Sequence, residues 1–164
     1  QLGNLAKGLG SFGAYVAGSR ELRDLLINTA RSFIFTCALP PPQVAAARAA
    51  LELVREEPWR RWQLQCNAAH LRDRLARAGI STSNSETQIV PVILGDNDRT
   101  MAVCEGLLER GFYVQGIRHP SVPRGSARLR ITPMATHTRE EIDRLADCLV
   151  EVIADHPTPA EPRD

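Results

Sequence analysis

Lysine is nearly absent from this sequence. Of the 20 basic residues in the 164-residue chain, 19 are arginines and one, Lys7, is a lysine. Arginine can replace lysine where only a solvated positive charge is needed, but a guanidinium stays protonated and is a poor nucleophile. Lys7 is therefore a candidate for chemistry that requires an amine, although a compositional bias can also leave one lysine behind by chance.

Long apolar runs and blocks of positive charge are also missing. No apolar run approaches the roughly 20 residues that span a bilayer, and the first residues lack the basic and apolar segments of a signal peptide. The arginines alternate with acidic residues and the formal net charge is +1, so no surface for nucleic acid is indicated. These absences predict a cytoplasmic protein without a membrane or nucleic-acid partner.

The cysteines form no metal-binding or disulfide pattern. Cys37, Cys66, Cys104 and Cys148 include no C-x-x-C pair, and no histidine stands at metal-ligand spacing from them. We therefore expect no metal site, and we expect these thiols to be reduced and partly buried.

Apolar periodicity and local signals predict alternating helices and strands. Ser19 and the pair of Thr138 and Glu141 are typical of helix starts, and Gly79 and Gly111 are typical of helix ends. The expected helices cover residues 20–30, 44–57, 59–78, 98–110 and a segment that follows residue 138. The expected strands cover 14–18, 87–94, 112–117 and 127–132. Pro91 indicates an edge or irregular position for the second of these, and Arg128 and Arg130 of the last are expected to be solvated charges.

The order of these elements predicts two parts and a tail. Residues 32–42 read as a strand or extended loop that ends at three prolines. Residues 1–55 are expected to belong to something larger, and residues 56–155 to form a small α+β domain with helices on one face of a sheet. The Pro-rich residues 156–164 are expected to be a disordered tail.

Three glycines follow the lysine at the G-x-G-x-x-G spacing of a dinucleotide-binding loop: Gly8, Gly10 and Gly13. Such a loop needs a strand before the first glycine and a helix that starts within it. Residues 1–6 are too few and too polar for that strand, and the glycines lead into a strand-like run. The alternative is that the glycines leave space beside Lys7 for a planar cofactor.

Three segments, in the same order, resemble those of the α-oxoamine synthases, a group of pyridoxal-phosphate enzymes of fold type I. They are NLAKGLGSFGAYVAG (4–18), ARSFIFTCALPPP (30–42) and VQGIRHPSVPRGSARLRITPMATHT (114–138). The resemblance implies an incomplete α/β fold type I transferase. Residues 1–55 would be the end of the large, cofactor-binding domain, and residues 56–155 the small C-terminal domain.

The resemblance also implies a role for five residues. Lys7 would form the internal Schiff base with pyridoxal phosphate and then remove the α-proton of the substrate. Asn4 stands where the family has a phosphate-binding threonine, and its amide can donate the same hydrogen bond. Thr36 matches a threonine that reaches the phosphate of the neighbouring subunit, Ser121 matches a threonine near the cofactor, and Arg118 matches the arginine that binds the substrate carboxylate.

The IRHPSVP stretch is most similar to the biotin-pathway branch of the group, since 5-aminolevulinate synthases tend to carry asparagine where Arg118 stands. This implies a decarboxylative condensation of L-alanine with a pimeloyl thioester of coenzyme A or acyl carrier protein, in a homodimer whose active site lies at the subunit interface. The alternatives are another synthase of the group, of the 5-aminolevulinate, 2-amino-3-ketobutyrate or serine palmitoyl type, and a non-catalytic dimerisation or binding remnant.

In the family, well over half of the catalytic domain precedes the lysine and supplies an aspartate for the pyridinium nitrogen and a histidine that stacks on the ring. No aspartate or histidine precedes Lys7 here. If these residues are the C-terminal part of a longer protein, the enzyme prediction applies to that protein. If they are the whole product, we expect an inactive fragment.

Overall fold

The computed structural model describes residues 1–158, which form two compact units, Gln1–Pro58 and the chain from Trp59 onward. Most of the tail predicted at 156–164 lies outside the described residues. The assignment of the first unit to a large-domain remnant stays a prediction.

The first unit begins with a β-hairpin that carries the glycine loop. Strand β1 (Leu2–Asn4) pairs antiparallel with β2 (Ala14–Val16). Residues 2–4 form a short strand that the sequence did not predict, because β2 supplies a partner and three residues are enough for a ladder. This strand is one side of a hairpin and is not the strand that precedes a dinucleotide-binding loop. The loop leads from one strand of a hairpin into the other. A dinucleotide-binding loop would instead lead into a helix.

Three helices complete this unit: α1 (Arg20–Thr29), α2 (Arg31–Ile34) and α3 (Pro41–Glu56). The predicted cap of α1 is confirmed, since Ser19 Oγ accepts a hydrogen bond from the Leu22 N–H at 3.3 Å. The prolines do not only end the preceding segment: Pro41 and Pro42 occupy the first turn of α3, where a missing N–H costs nothing.

The strand or loop predicted from residue 32 is partly wrong, because its first part is the single helical turn α2. The backbone N–H groups of Phe33 and Ile34 both donate to Ala30 O at 2.9 Å. An aromatic and β-branched run becomes a strand only beside a pairing partner. Residues 31–40 pair with no strand in the described part of the chain, so local hydrogen bonds determine their conformation.

The first unit buries little of its own apolar surface. Within residues 1–58, all of which the structure describes, Ala47 is the one buried apolar side chain. Large side chains are left in contact with solvent, among them Leu2 (79% exposed), Phe12 (63%), Phe33 (60%) and Phe35 (76%). An exposed apolar surface of this kind is typical of a face that is covered by other protein.

The second unit is a sheet with helices packed on it. Its elements are α4 (Trp59–Arg77), β3 (Val90–Gly95), α5 (Asn97–Glu109), β4 (Gln115–Ile117), β5 (Ala127–Ile131) and α6 (Arg139–Asp155). The described strands form an antiparallel sheet in the order β3-β5-β4, which confirms Pro91 on an edge strand. Strand β4 is shorter than predicted because residues 112–114 lie outside its ladder with β5.

The core of this unit lies between the sheet and its helices. Leu129 and Ile131 point inward from β5, while Arg130 between them is exposed, as the alternation predicted. The core side chains come from every helix and from the two longer strands: Leu71 and Leu75, Val90 and Val92, Val103 and Leu107, Leu129 and Ile131, Leu149 and Val152.

Helix α6 begins with the predicted capping box, which makes its stability depend on pH. Thr138 Oγ1 accepts from the Glu141 N–H at 3.2 Å, and Glu141 Oε2 accepts from the Thr138 N–H at 2.8 Å. This backbone hydrogen bond holds the pKa of the Glu141 carboxyl below its ordinary value. Its stabilising contribution is therefore complete above the pKa of the unfolded chain, about 4.3, and is lost as the pH falls through the lower pKa of the folded chain.

We expect Glu141→Gln to lower the urea midpoint of unfolding at pH 7. The difference in midpoint between this variant and the unchanged chain should narrow as the pH falls below about 4. Unfolding followed by circular dichroism at pH 7, 5 and 3 measures this. Glu140→Gln, in the same first turn of α6 but outside the capping box, is the matched control. A difference that stays constant across this pH range would contradict the assignment.

Candidate cofactor and substrate site

Lys7 lies at the tip of the hairpin between β1 and β2. The loop is closed by backbone hydrogen bonds from Leu5 N to Gly13 O and from Ser11 N to Leu5 O, both 2.9 Å. Gly10 N donates to Lys7 O at 3.0 Å, so residues 7–10 form a tight turn. The Lys7 side chain is exposed and has no hydrogen-bond or ion-pair partner within residues 1–158. The loop therefore fixes the lysine backbone and leaves its amine free to react.

The glycines around Lys7 serve different purposes. Apart from the neighbouring residues in the chain, a Cβ at Gly8 or Gly10 would meet no atom of residues 1–158 within 4 Å, so the space beside the lysine is open. Gly10 also has a φ of +59°, which favours glycine in the turn. At Gly13 the φ is +107° and a Cβ would lie 2.8 Å from the Leu39 side chain. Glycine is thus required at position 13 by its positive φ and by close packing against Leu39. Of the three glycines, Gly8 is the one that offers open space without also having a positive φ.

Asn4 and Thr36 offer donors for an anion in the same unit. Asn4 Oδ1 accepts from the Ala6 N–H at 2.7 Å, which orients the amide and leaves its Nδ2 group free to donate. Thr36 is exposed, and its hydroxyl makes no hydrogen bond in the described part of the chain. The segment that follows Thr36 is tied to the glycine loop, because Ser11 Oγ donates to Gln43 O at 2.6 Å.

These residues fit pyridoxal phosphate by their chemistry. The group needs an unpaired amine for its aldehyde, neutral or cationic donors for its phosphate and space for a planar ring. Lys7 would supply the amine, and the Asn4 amide and the Thr36 hydroxyl would supply donors. Apart from its two chain neighbours, no atom of residues 1–158 lies within 4 Å of a Cβ placed at Gly8.

Arg118 and Ser121 share one turn in the second unit. The Ser121 N–H donates to Arg118 O at 2.9 Å, and the Val122 N–H donates to the same oxygen at 3.3 Å. The turn follows β4 directly and contains the cis peptide bond between His119 and Pro120. Both candidate side chains are exposed, and neither has a side-chain partner within the described residues. A free guanidinium on a hydrogen-bonded turn is suited to bidentate binding of a carboxylate.

The structure thus groups the predicted site residues by unit. Lys7, Asn4 and Thr36 belong to the first unit, and Arg118 and Ser121 belong to the second. Sequence reasoning missed Asn97, whose side chain contacts the Arg118 turn: the His119 N–H donates to Asn97 Oδ1 at 3.2 Å. No local sequence signal could have indicated this bond, because its partners are 22 residues apart.

The cysteines are free, as expected. Cys104 and Cys148 are buried, and burial raises the pKa of both thiols, which disfavours a nucleophilic thiolate. Cys66 is half-buried, but Cys37 is exposed, so the expectation of partial burial is wrong for Cys37. Among residues 1–158 no group of three histidine, cysteine or carboxylate side chains is placed to hold a metal ion, and no helix of that range is both long and apolar enough to span a membrane.

Comparison with known proteins identifies similar chains. The aminotransferase class I and II family matches residues 2–149. An 8-amino-7-oxononanoate synthase of Geobacter sulfurreducens is 51% identical over 154 residues, which cover 93% of this chain and 39% of that protein. One of Anaeromyxobacter sp. (strain K) is 47% identical over 162 residues, 99% of this chain and 40% of that protein. This chain therefore spans about two fifths of the length of these curated relatives.

Solved structures match over a similar share. A serine palmitoyltransferase of Sphingomonas wittichii superimposes with a TM-score of 0.85 at 28% identity, covering 92% of this chain and 38% of its own. A second serine palmitoyltransferase structure, which contains pyridoxal phosphate as an internal aldimine, gives the same four values. An 8-amino-7-oxononanoate synthase of Francisella tularensis has a TM-score of 0.80 at 24% identity, covering 92% of this chain and 44% of its own, and this is a likeness of fold.

Proposed function

The chain belongs to the aminotransferase class I and II family, and on that premise we propose that it is the cofactor-lysine and substrate-binding part of a pyridoxal-phosphate-dependent α-oxoamine synthase. The predicted α/β transferase fold is confirmed by the solved structures it matches over 38% to 44% of their length. The observation that carries the proposal is the one lysine of the chain, exposed at the tip of a hydrogen-bonded loop with open space beside it.

Lys7 would hold the cofactor and move a proton. When bound, pyridoxal phosphate supplies an electron sink for the negative charge that forms at the substrate α-carbon. Lys7 Nζ would bind the cofactor aldehyde and, once an amino acid has displaced it, would accept the α-proton. An arginine cannot perform either step, because its guanidinium does not release a proton in proteins.

Asn4, Thr36 and Ser121 would orient the cofactor. The Asn4 Nδ2 group and the Thr36 hydroxyl can each donate a hydrogen bond to a phosphate oxygen, and charge on the acceptor strengthens such bonds. Ser121 would place one further hydroxyl near the cofactor. These are positioning contacts, so they act on cofactor affinity and on the orientation of the reacting bond.

Arg118 would bind the carboxylate of the substrate. Its guanidinium can make two parallel N–H···O bonds to a carboxylate, which fixes both the position and the plane of the group. The backbone of the turn is already held by the bonds that Ser121 and Val122 donate to Arg118 O, so part of the ordering is complete before the substrate arrives.

The proposed substrates are L-alanine and a pimeloyl thioester of coenzyme A or acyl carrier protein, which condense with loss of carbon dioxide and release of the thiol carrier. The support is the identity of 46% to 51% to several chains named 8-amino-7-oxononanoate synthase. A synthase that uses glycine or serine with another thioester is the second candidate, and the TM-score of 0.85 to serine palmitoyltransferase favours keeping it.

We also assign to this synthase a homodimeric state with the active site at the subunit interface. The support is the apolar surface of the first unit, where Leu2, Phe12 and Phe35 are each more than 60% exposed. Side chains of this kind are covered by protein in a soluble enzyme, either by the remainder of a large domain or by a second subunit.

Turnover with different substrates tests the proposed function. The experiment uses a complete synthase, defined as a chain of full family length made either from the reading frame of this protein or by exchanging the matching 154 residues of the Geobacter sulfurreducens relative for this chain. We expect L-alanine with pimeloyl-coenzyme A to give a kcat/KM at least about tenfold above glycine or serine with acetyl-, succinyl- or palmitoyl-coenzyme A. A preference for glycine or serine would support the second candidate, and turnover with none of the pairs would refute both.

A further inference from the structure

We infer that Asn97 is a positioning residue that holds the turn carrying Arg118. This inference rests on the proposed role of Arg118 in binding the substrate carboxylate. Asn97 is the first residue of α5, half-buried, and its Oδ1 accepts the backbone N–H of His119 at 3.2 Å. The residue next to Arg118 is thus tied to a helix that is 22 positions away in sequence.

Asn97 is not needed to cap its own helix. Asp96 is the N-cap residue of α5, and its side chain accepts from the Arg99 N–H at 2.8 Å. The Asn97 side-chain oxygen is therefore available for a bond outside the helix. Alanine at this position would keep the cap and a good helix former in the first turn. The bond to His119 can be removed without disturbing α5 itself.

Helix α5 is a firm support for this bond. Its first turn is fixed by the buried Thr100, whose hydroxyl donates to Asp96 O at 2.6 Å. Arg99 adds bonds to two other segments, from Nη1 to Leu94 O at 3.1 Å and from Nε to His156 O at 2.7 Å. Each of these bonds restrains the end of α5 from which Asn97 projects.

A second contact seats the same segment on α5. Gly116, two residues before Arg118, lies so close to the helix that a Cβ there would be 2.9 Å from Cys104 Sγ and 3.3 Å from Met101 Sδ. The chain from Gly116 to His119 therefore touches α5 at both ends. Arg118 lies between these two points.

The two contacts leave the Arg118 side chain free while restraining its backbone. Ile117 pairs with Arg128 in the β-ladder, and Arg118 O accepts the N–H groups of Ser121 and Val122. Loss of the Asn97 acceptor would leave the His119 N–H unpaired and let the turn move relative to α5. Bidentate binding depends on the position and plane of the guanidinium, so such movement weakens carboxylate binding without touching the reacting atoms.

The first test measures the bond directly in the 164-residue chain. We expect Asn97→Ala to increase the amide hydrogen-exchange rate of His119 about fivefold to tenfold, as the loss of one hydrogen bond predicts. Asn97→Asp keeps an acceptor oxygen and should keep the slow rate. Asn84→Ala, which removes an exposed asparagine elsewhere in the same unit, is the matched control and should not change it. Equal rates in Asn97→Ala and Asn84→Ala would overturn the inference.

The second test asks whether Asn97 acts through Arg118 in the complete synthase. We expect Asn97→Ala to raise KM for the amino acid about fivefold with kcat within about twofold, and Asn97→Asp to restore KM. In an Arg118→Gln background the same Asn97→Ala change should add less than about twofold. An equal effect in both backgrounds would show that Asn97 acts independently of Arg118 and would overturn the inference.

The two tests separate this inference from the proposed function. If Arg118→Gln leaves KM unchanged, the proposed role of Arg118 fails and the inference fails with it, whatever the exchange rate of His119. If Arg118→Gln raises KM but Asn97→Ala changes neither KM nor exchange, the proposed function stands and the inference is wrong.

Discussion

Replacing Lys7 with alanine or arginine is expected to lower product formation by the complete synthase at least about 10³-fold, because both replacements remove the amine that we propose holds the cofactor and accepts the α-proton. Lys7→Arg is the sharper variant, since it keeps the positive charge and removes only the nucleophile. The visible absorbance of bound pyridoxal phosphate, measured with the rate, should also lose its lysine-dependent band in both variants.

The composition of the chain makes this result easy to assign. Borohydride reduction fixes the cofactor to the amine that holds it, and Lys7 is the one lysine that this chain supplies, so a labelled peptide from this part of the synthase identifies the site. Arg20→Ala removes an exposed charge from the same unit and should leave both rate and absorbance unchanged. Label on another residue, or more than about a tenth of the activity in Lys7→Arg, would refute the assignment.

Arg118→Gln is expected to raise KM for the amino acid about 10²-fold with a smaller effect on kcat, because it removes the two charge-assisted hydrogen bonds that we propose Arg118 makes to the carboxylate. Arg118→Lys keeps the charge but not the planar pair of donors, so we expect a rise of about tenfold. Initial rates over a range of amino acid concentrations give both constants. KM for the pimeloyl thioester is measured as well, since that substrate carries a carboxylate of its own.

Arg130→Gln is the matched control for Arg118. Arg130 is also an exposed arginine of the second unit, on β5, and it lines a cavity of about 510 Å³. Sequence alternation predicts it as a solvated charge, so its loss should leave KM for the amino acid within about twofold. If Arg130→Gln raised KM for the amino acid strongly and Arg118→Gln left it unchanged, carboxylate binding would be assigned to β5. That result would contradict the assignment to Arg118.

The sequence predicted those parts of the fold that depend on local interactions. Ser19 and Thr138 cap helices because their side chains reach backbone N–H groups three residues ahead. Gly79 ends α4 with a φ of +76°, and the Ile80 N–H then donates to Leu75 O, a bond that closes within a few residues. Such boundaries can be read from neighbouring residues alone.

The errors occurred where a partner distant in sequence decides the outcome. Leu2–Asn4 forms a strand that the sequence did not predict, because Ala14–Val16 lies beside it. Arg31–Ile34, predicted as a strand or loop, becomes a helical turn because no strand of residues 1–158 pairs with it. The same limit applies to the site. Family motifs predict Lys7 and Arg118 as site residues. The contact of Asn97 with the Arg118 turn depends on how α5 packs, so neither sequence segment indicates it.

The uneven burial of the two units has a consequence for how tightly the cofactor can be held. Nearly all of the buried apolar side chains lie in the second unit. The hairpin that carries Lys7 belongs to the first unit, residues 1–58, where Ala47 is the one buried apolar side chain. A unit with so few buried side chains depends on contacts with other protein to stabilise its conformation, and fixing that conformation has an entropic cost. A partner that covers the first unit in advance would remove some of this cost from cofactor binding. We therefore expect assembly of the proposed synthase and binding of its cofactor to strengthen each other.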